Sequence, residues 1–165
     1  MVLLAVLSLI TLSSKGNAEA PSTTVSEPAP IIITIPKEKT PADYIKAAAA
    51  KFGADETELL KVGTCESHLG KTTKGDFNGT TYLAYGLFMY HKGTWTRMSK
   101  LYNAIYPERN LSIDSIEDQA ELTAFIFAKY PSMKREWSTY VAYKNGGTYS
   151  FYSKVLKGNY TVVCK

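Results

Sequence analysis

The sequence predicts an α+β domain that is mainly α, with a small β-hairpin or loop following its second helix. Apolar residues recur at spacings of three and four over most of the chain beyond residue 40, which is the signature of helices with one buried face. Capping residues and glycines bracket those stretches. One segment, residues 71–85, breaks the pattern with Gly75, Gly79 and paired threonines, and reads as a loop with a short hairpin. At 165 residues with 45% hydrophobic content, the chain has material for one core and one domain.

Residues 1–20, MVLLAVLSLITLSSKGNAEA, have an apolar run over 2–12 followed by the small-x-small group Ala18-Glu19-Ala20. This is the pattern of a signal peptide, although no Lys or Arg precedes the run, and the run is too short to form a stable membrane span. Residues 21–39 are rich in Pro, Ser and Thr and read as a linker. Within it, residues 31–35 form a β-prone run between Pro30 and Pro36, suited to an edge strand or an extended tether. The folded domain is expected over residues 40–165.

Thr40 and Pro41 have the N-cap and first-turn chemistry of a helix that Gly53 stops. Asp55, with Glu58 three positions on, opens a second helix whose apolar face holds Leu59, Leu60, Val62 and Cys65, and which Gly70 can terminate. Further helices are expected over 94–105, 115–130, 132–143 and 149–156, with Pro131 and the Gly146-Gly147 pair as breaks.

Glu66 falls in the last turns of the second helix. The helix dipole is negative there and gives a carboxylate no support, and partial burial would raise its pKa further. A raised pKa is what a general acid needs near neutral pH. The ordinary alternative is a solvated helix carboxylate, which is what most glutamates are.

The segments around Glu66 shift that balance. The stretch CESHLG, with Glu66 and Ser67, is followed about twenty residues later by AYGLFMYHKGTW, with Gly86, Leu87, Phe88, Thr94 and Trp95. Together they resemble the catalytic core of the lysozyme-like superfamily, above all soluble lytic transglycosylases and resuscitation-promoting factors. IEDQAELTAFIFAKY resembles that fold's next core helix, VAYKNGG its Ala-x-Tyr-Asn-x-Gly element, and YSKVL its closing helix. The resemblance spans roughly residues 42–165. It departs from the family pattern at Met89, where a Gln is usual, and by one inserted residue between Tyr143 and Asn145. A thioether cannot bond a sugar as an amide does.

The resemblance implies a secreted or cell-envelope enzyme, expected to be a monomer and without cofactor, that cleaves the β-1,4 bond between N-acetylmuramic acid and N-acetylglucosamine in peptidoglycan glycan strands. Glu66 would be the acid, with Tyr85, Gly86, Met89, Tyr90, Tyr143 and Asn145 shaping the sugar sites. Asp76 is the candidate second carboxylate, which an inverting muramidase needs as base and a lytic transglycosylase does not. Its loop position narrowly favours the transglycosylase route. Export places Cys65 and Cys164 in an oxidising compartment, where a disulfide is expected; the alternative is two separate thiols. Twelve tyrosines and two tryptophans are many for this length, and Tyr82, Tyr85, Tyr90 and Trp95 cluster in sequence near the Glu66 loop. Three or four aromatic rings are expected in the cleft.

Other chemistries fit less well. Glu66 with His68 and His91 lacks the tight spacing of a metal site, and Cys65 as a nucleophile would not be expected to pair with Cys164. The formal charge of +4 suits polyanionic surroundings, but Lys and Arg are dispersed and no nucleic-acid motif accompanies them. The competing class is a noncatalytic wall-binding or structural protein that retains the fold.

Overall fold

The computed structural model describes residues 37–154 and 156–164. The signal-peptide reading of 1–20, and the linker reading as far as residue 36 with its β-prone run, lie outside the described residues.

Among the described residues, five helices and two antiparallel sheets follow in the order α1 (Pro41–Phe52), α2 (Glu56–Ser67), β1 (Lys74–Phe77), β2 (Tyr82–Tyr85), β3 (Tyr90–His91), α3 (Lys92–Asn103), α4 (Ile116–Lys129), α5 (Ser138–Lys144), β4 (Thr148–Ser153) and β5 (Gly158–Val163). A 3₁₀ segment, Pro131–Glu136, joins α4 to α5. Among the described residues no helix is long and apolar enough to cross a membrane.

The helix starts obey local chemistry. Thr40 accepts from the Asp43 N–H while the Asp43 carboxylate accepts from the Thr40 N–H, a complete capping box, and Pro41 supplies the first turn. Asp55 caps α2 through the Glu58 N–H at 3.0 Å, and Ser115 caps α4 through Asp118. Gly53 closes α1 in the left-handed region at φ 71°.

The core is built around α4, in which every residue from Gln119 to Phe127 is buried. Ile45 of α1, Leu59 and Val62 of α2, and Met98 and Tyr102 of α3 join the same buried cluster. Phe125 meets Phe52, Tyr102, Tyr106 and Tyr130 edge-on, with ring centroids 5.1–6.2 Å apart, the arrangement that aromatic quadrupoles favour. Glu58, buried on α2, is engaged by Lys134 at 2.6 Å and Lys144 at 2.8 Å. Burial alone would raise its pKa, but the two lysines outweigh that and hold it below the ordinary value.

Two expected elements differ. The helix over 132–143 is instead the 3₁₀ segment followed by a short α5, interrupted at Trp137, whose backbone is extended. The indole is buried there and donates to the Phe88 carbonyl at 2.9 Å, a contact that a straight helix would have had to give up. The helix over 149–156 is instead β4 leading into a turn. Its sequence TYSFYS alternates exposed and half-buried residues, a period of two, and its β-prone residues pair with β5 from Thr148↔Val163 to Ser153↔Gly158.

Candidate active site

Glu66 lies one residue from the end of α2, and the chain leaves that helix through three consecutive left-handed residues, His68, Leu69 and Gly70. The cap is His68 rather than Gly70, its N–H reaching Thr64 O at 2.9 Å. Ser67 makes this exit possible. Its hydroxyl donates to the Leu87 carbonyl at 2.7 Å and accepts from the Gly70 N–H at 2.7 Å, fastening the helix end to the β2–β3 turn.

That turn, Gly86 to Met89, is fixed from two further sides. Gln119 of α4 accepts from the Phe88 N–H at 2.9 Å and donates to the Tyr85 carbonyl at 3.2 Å, while Trp137 holds the Phe88 carbonyl. Gly86 sits at φ 77°, and a methyl built on it would lie 1.8 Å from the Gln119 Nε2. Glycine is therefore required twice, by backbone conformation and by the close amide.

The carboxyl of Glu66 opens onto a cleft of about 490 Å³. One wall is β1, the β2–β3 turn and β3, contributing Asp76, Met89 and His91; the other is the β4–β5 hairpin, contributing Phe151, Ser153 and Tyr160. From the start of α5, Thr139 donates to Glu66 Oε1 at 2.5 Å. The residue keeps some accessible surface, yet its carboxyl is densely surrounded, and this burial pushes its pKa from an ordinary 4.5 up to about 7. The Thr139 hydrogen bond and the charge of His91 act downward, and the charge of Asp76 acts upward. Asp76 and His91 are themselves joined, Oδ2 to Nε2, at 2.7 Å.

Cys65, beside Glu66, is disulfide-bonded to Cys164 at the end of β5. The Cys164 N–H also donates to Gly147 O at 2.8 Å, so the hairpin wall is tied to the acid-bearing helix at its base. Among the described residues, no group of three or more His, Cys, Asp and Glu side chains is arranged to hold a metal. His68, at the helix cap, is exposed.

Of the residues expected at the site, Glu66, Asp76, Met89 and Tyr90 line this cleft. Tyr90 does so only as floor: it is buried, its hydroxyl is shared with Thr123 at 2.9 Å, and burial raises its pKa. Tyr85 belongs elsewhere. The alternation along β2 turns Ala84 to the cleft and Tyr85 to the other face, where its hydroxyl donates to the Tyr82 carbonyl at 2.6 Å. Tyr143 and Asn145 also do not line the cleft, and Asn145 borders a separate recess with Arg135, Tyr140 and Tyr149. Thr139 near the start of α5 faces Glu66, and Asn145 lies six residues farther on, about 9 Å along a helix axis. Trp95 is in the core.

The aromatic rings that do line the cleft are Tyr90, Trp137, Phe151 and Tyr160. Sequence reasoning missed Thr139, Gln119, Trp137 and the hairpin. Gln119 had a signal, a lone amide within an otherwise apolar helix face; Thr139 had none.

Comparison with family models, with curated proteins and with solved structures finds no match for this chain.

Proposed function

We propose that the protein is a lysozyme-like peptidoglycan-cleaving enzyme in which Glu66 is the general acid for scission of the N-acetylmuramic acid–N-acetylglucosamine β-1,4 bond. The observation that carries this reading is the enclosed Glu66 carboxyl that lines the cleft and accepts a hydrogen bond from Thr139, a setting that raises its pKa by burial. With an ordinary pKa of 4.5, about one carboxyl in 300 would hold its proton at pH 7; at about 7, roughly half do. A group that is protonated at neutral pH, accessible from a cleft and oriented by a hydroxyl donor has what glycosidic leaving-group protonation requires.

Among routes, the reading favours lytic transglycosylation. Glu66 gives its proton to the glycosidic oxygen as the C1–O bond breaks. The resulting carboxylate then takes the proton of the muramic 6-hydroxyl, whose oxygen closes on C1 to form the 1,6-anhydro ring. The acid is restored and no water is consumed. Asp76 supports this route by being already engaged with His91, which leaves it a poorer candidate for activating water.

The competing reading, a noncatalytic wall-binding protein, gives no reason for a carboxyl of raised pKa opening onto the cleft. Clearing of suspended peptidoglycan sacculi tests the proposal. Wild-type protein is expected to clear them, and Glu66→Gln is expected to lose at least about 100-fold in rate while remaining folded. Equal clearing by both proteins would overturn the role of Glu66, and no clearing by either would favour the binding reading.

A further inference from the structure

The second wall of the cleft, the β4–β5 hairpin, carries a continuous row of aromatic faces. In the antiparallel register Phe151 lies opposite Tyr160 and Tyr149 opposite Val162, so these four side chains share one face. The Tyr149 and Phe151 rings are stacked, 5.4 Å apart and 13° from parallel, and Tyr160 continues the row 6.3 Å from Phe151 at 35°. Phe151 and Tyr160 line the Glu66 cleft, and Tyr149 borders the neighbouring recess, so the row leads out of one into the other. Tyr160 is 39% exposed, and its ring lies over Gly158, where an added methyl would be 3.2 Å from Cε2.

A packed core does not account for this row: Tyr149, Phe151 and Tyr160 are outside the core cluster, and Tyr160 is partly exposed. Two neighbouring rings, Phe151 and Tyr160, tilted 35° to one another beside a cleft rimmed by Ser153, Thr139, Asp76 and His91, suit a pyranose, whose axial C–H face is apolar and whose edge carries hydroxyls. We propose that Phe151 and Tyr160 form a sugar-stacking platform that holds the glycan strand beyond the two sugars flanking the cleaved bond, making recognition depend on strand length. This rests on the peptidoglycan reading of the Glu66 cleft. The disulfide and the Cys164–Gly147 hydrogen bond keep the platform in register with Glu66.

The test uses the full chain carrying Glu66→Gln, so that ligand is not consumed, and peptide-free peptidoglycan glycan strands of two and of six sugars. Calorimetric titration is expected to show tighter binding of the six-sugar strand. Tyr160→Leu keeps apolar bulk but removes the flat face, and is expected to weaken six-sugar binding about five- to tenfold, leaving two-sugar binding nearly unchanged. Tyr160→Phe should retain the parent affinity, which separates stacking from loss of the hydroxyl. Tyr152→Ala, on the opposite hairpin face and 61% exposed, should have no effect.

Six-sugar binding indifferent to Tyr160→Leu, or weakened equally by Tyr152→Ala, overturns the platform. So does a parent protein that binds neither strand. If wild-type protein fails to cleave glycan but binding still depends on the Tyr160 ring, the catalytic reading falls and the platform stands. If wild-type protein cleaves and the ring is irrelevant, only the platform falls.

Discussion

Replacing Glu66 with Gln is expected to stabilise the fold in alkaline solution even as it removes activity. Burial pushes the folded carboxyl from 4.5 up to about 7, so the folded protein holds this proton more tightly than the unfolded chain does. Below pH about 4.5 the group is protonated in both states and carries no penalty. As pH rises through about 7, the fold must ionise a buried group that the unfolded chain ionised earlier, and stability is lost. At about 1.4 kcal/mol per pH unit between the two values, the penalty at pH 8 is on the order of 3 kcal/mol. Gln cannot ionise and keeps an oxygen for the Thr139 hydroxyl, but its amide N–H also leaves water. The variant should be about 1 kcal/mol less stable than the wild type at pH 4 and roughly 2 kcal/mol more stable at pH 8, a change of about 3 kcal/mol across that range. Denaturant unfolding of both proteins at pH 4, 6 and 8 measures it, because groups remote from the cleft cancel in the difference. A difference that stays flat with pH, or a variant less stable at pH 8, would refute burial as the source of the acidity.

Asp76→Asn should keep activity within a few-fold, where loss of a general base would cost about 100-fold or more. Because the Asp76 charge pushes the Glu66 pKa up, the alkaline limb of the pH–rate profile should move to lower pH in this variant. Gly86→Ala combines a left-handed backbone with a methyl 1.8 Å from Gln119 and should cost more than about 2 kcal/mol of stability, read as a lowered thermal midpoint. Reducing Cys65–Cys164 opens a loop with a sequence separation of 99 and should cost up to about 4.7 kcal/mol by the chain-entropy estimate. An unchanged melting temperature in reductant would contradict that.

Legibility in the sequence followed the range of the interactions. Thr40-Pro41, Gly53 and Asp55 gave element boundaries because caps act within a few residues, and the structure has α1, α2 and α4 close to where they were expected. The hairpin within 71–85 was legible from glycine and threonine content. Trp137 was not, since its break in the helix depends on a carbonyl 49 residues earlier in the chain. The segment 149–156 was drawn into a helix by analogy, although its alternating TYSFYS pattern pointed to a strand. At the site, Glu66 and Asp76 were chosen by chemistry and share the cleft; Tyr85 failed because one step along β2 reverses the face, and Asn145 because it lies at the far end of α5 from Thr139.

The most direct test of the acid role of Glu66 is mass spectrometry of the products formed from purified peptidoglycan by wild-type protein and by Glu66→Gln. Muropeptides with 1,6-anhydro ends are expected from the wild type and none above background from the variant. Reducing ends alone would keep Glu66 and reject the transglycosylase route. Intact glycan after wild-type treatment, or the same products from Glu66→Gln, would contradict the central claim.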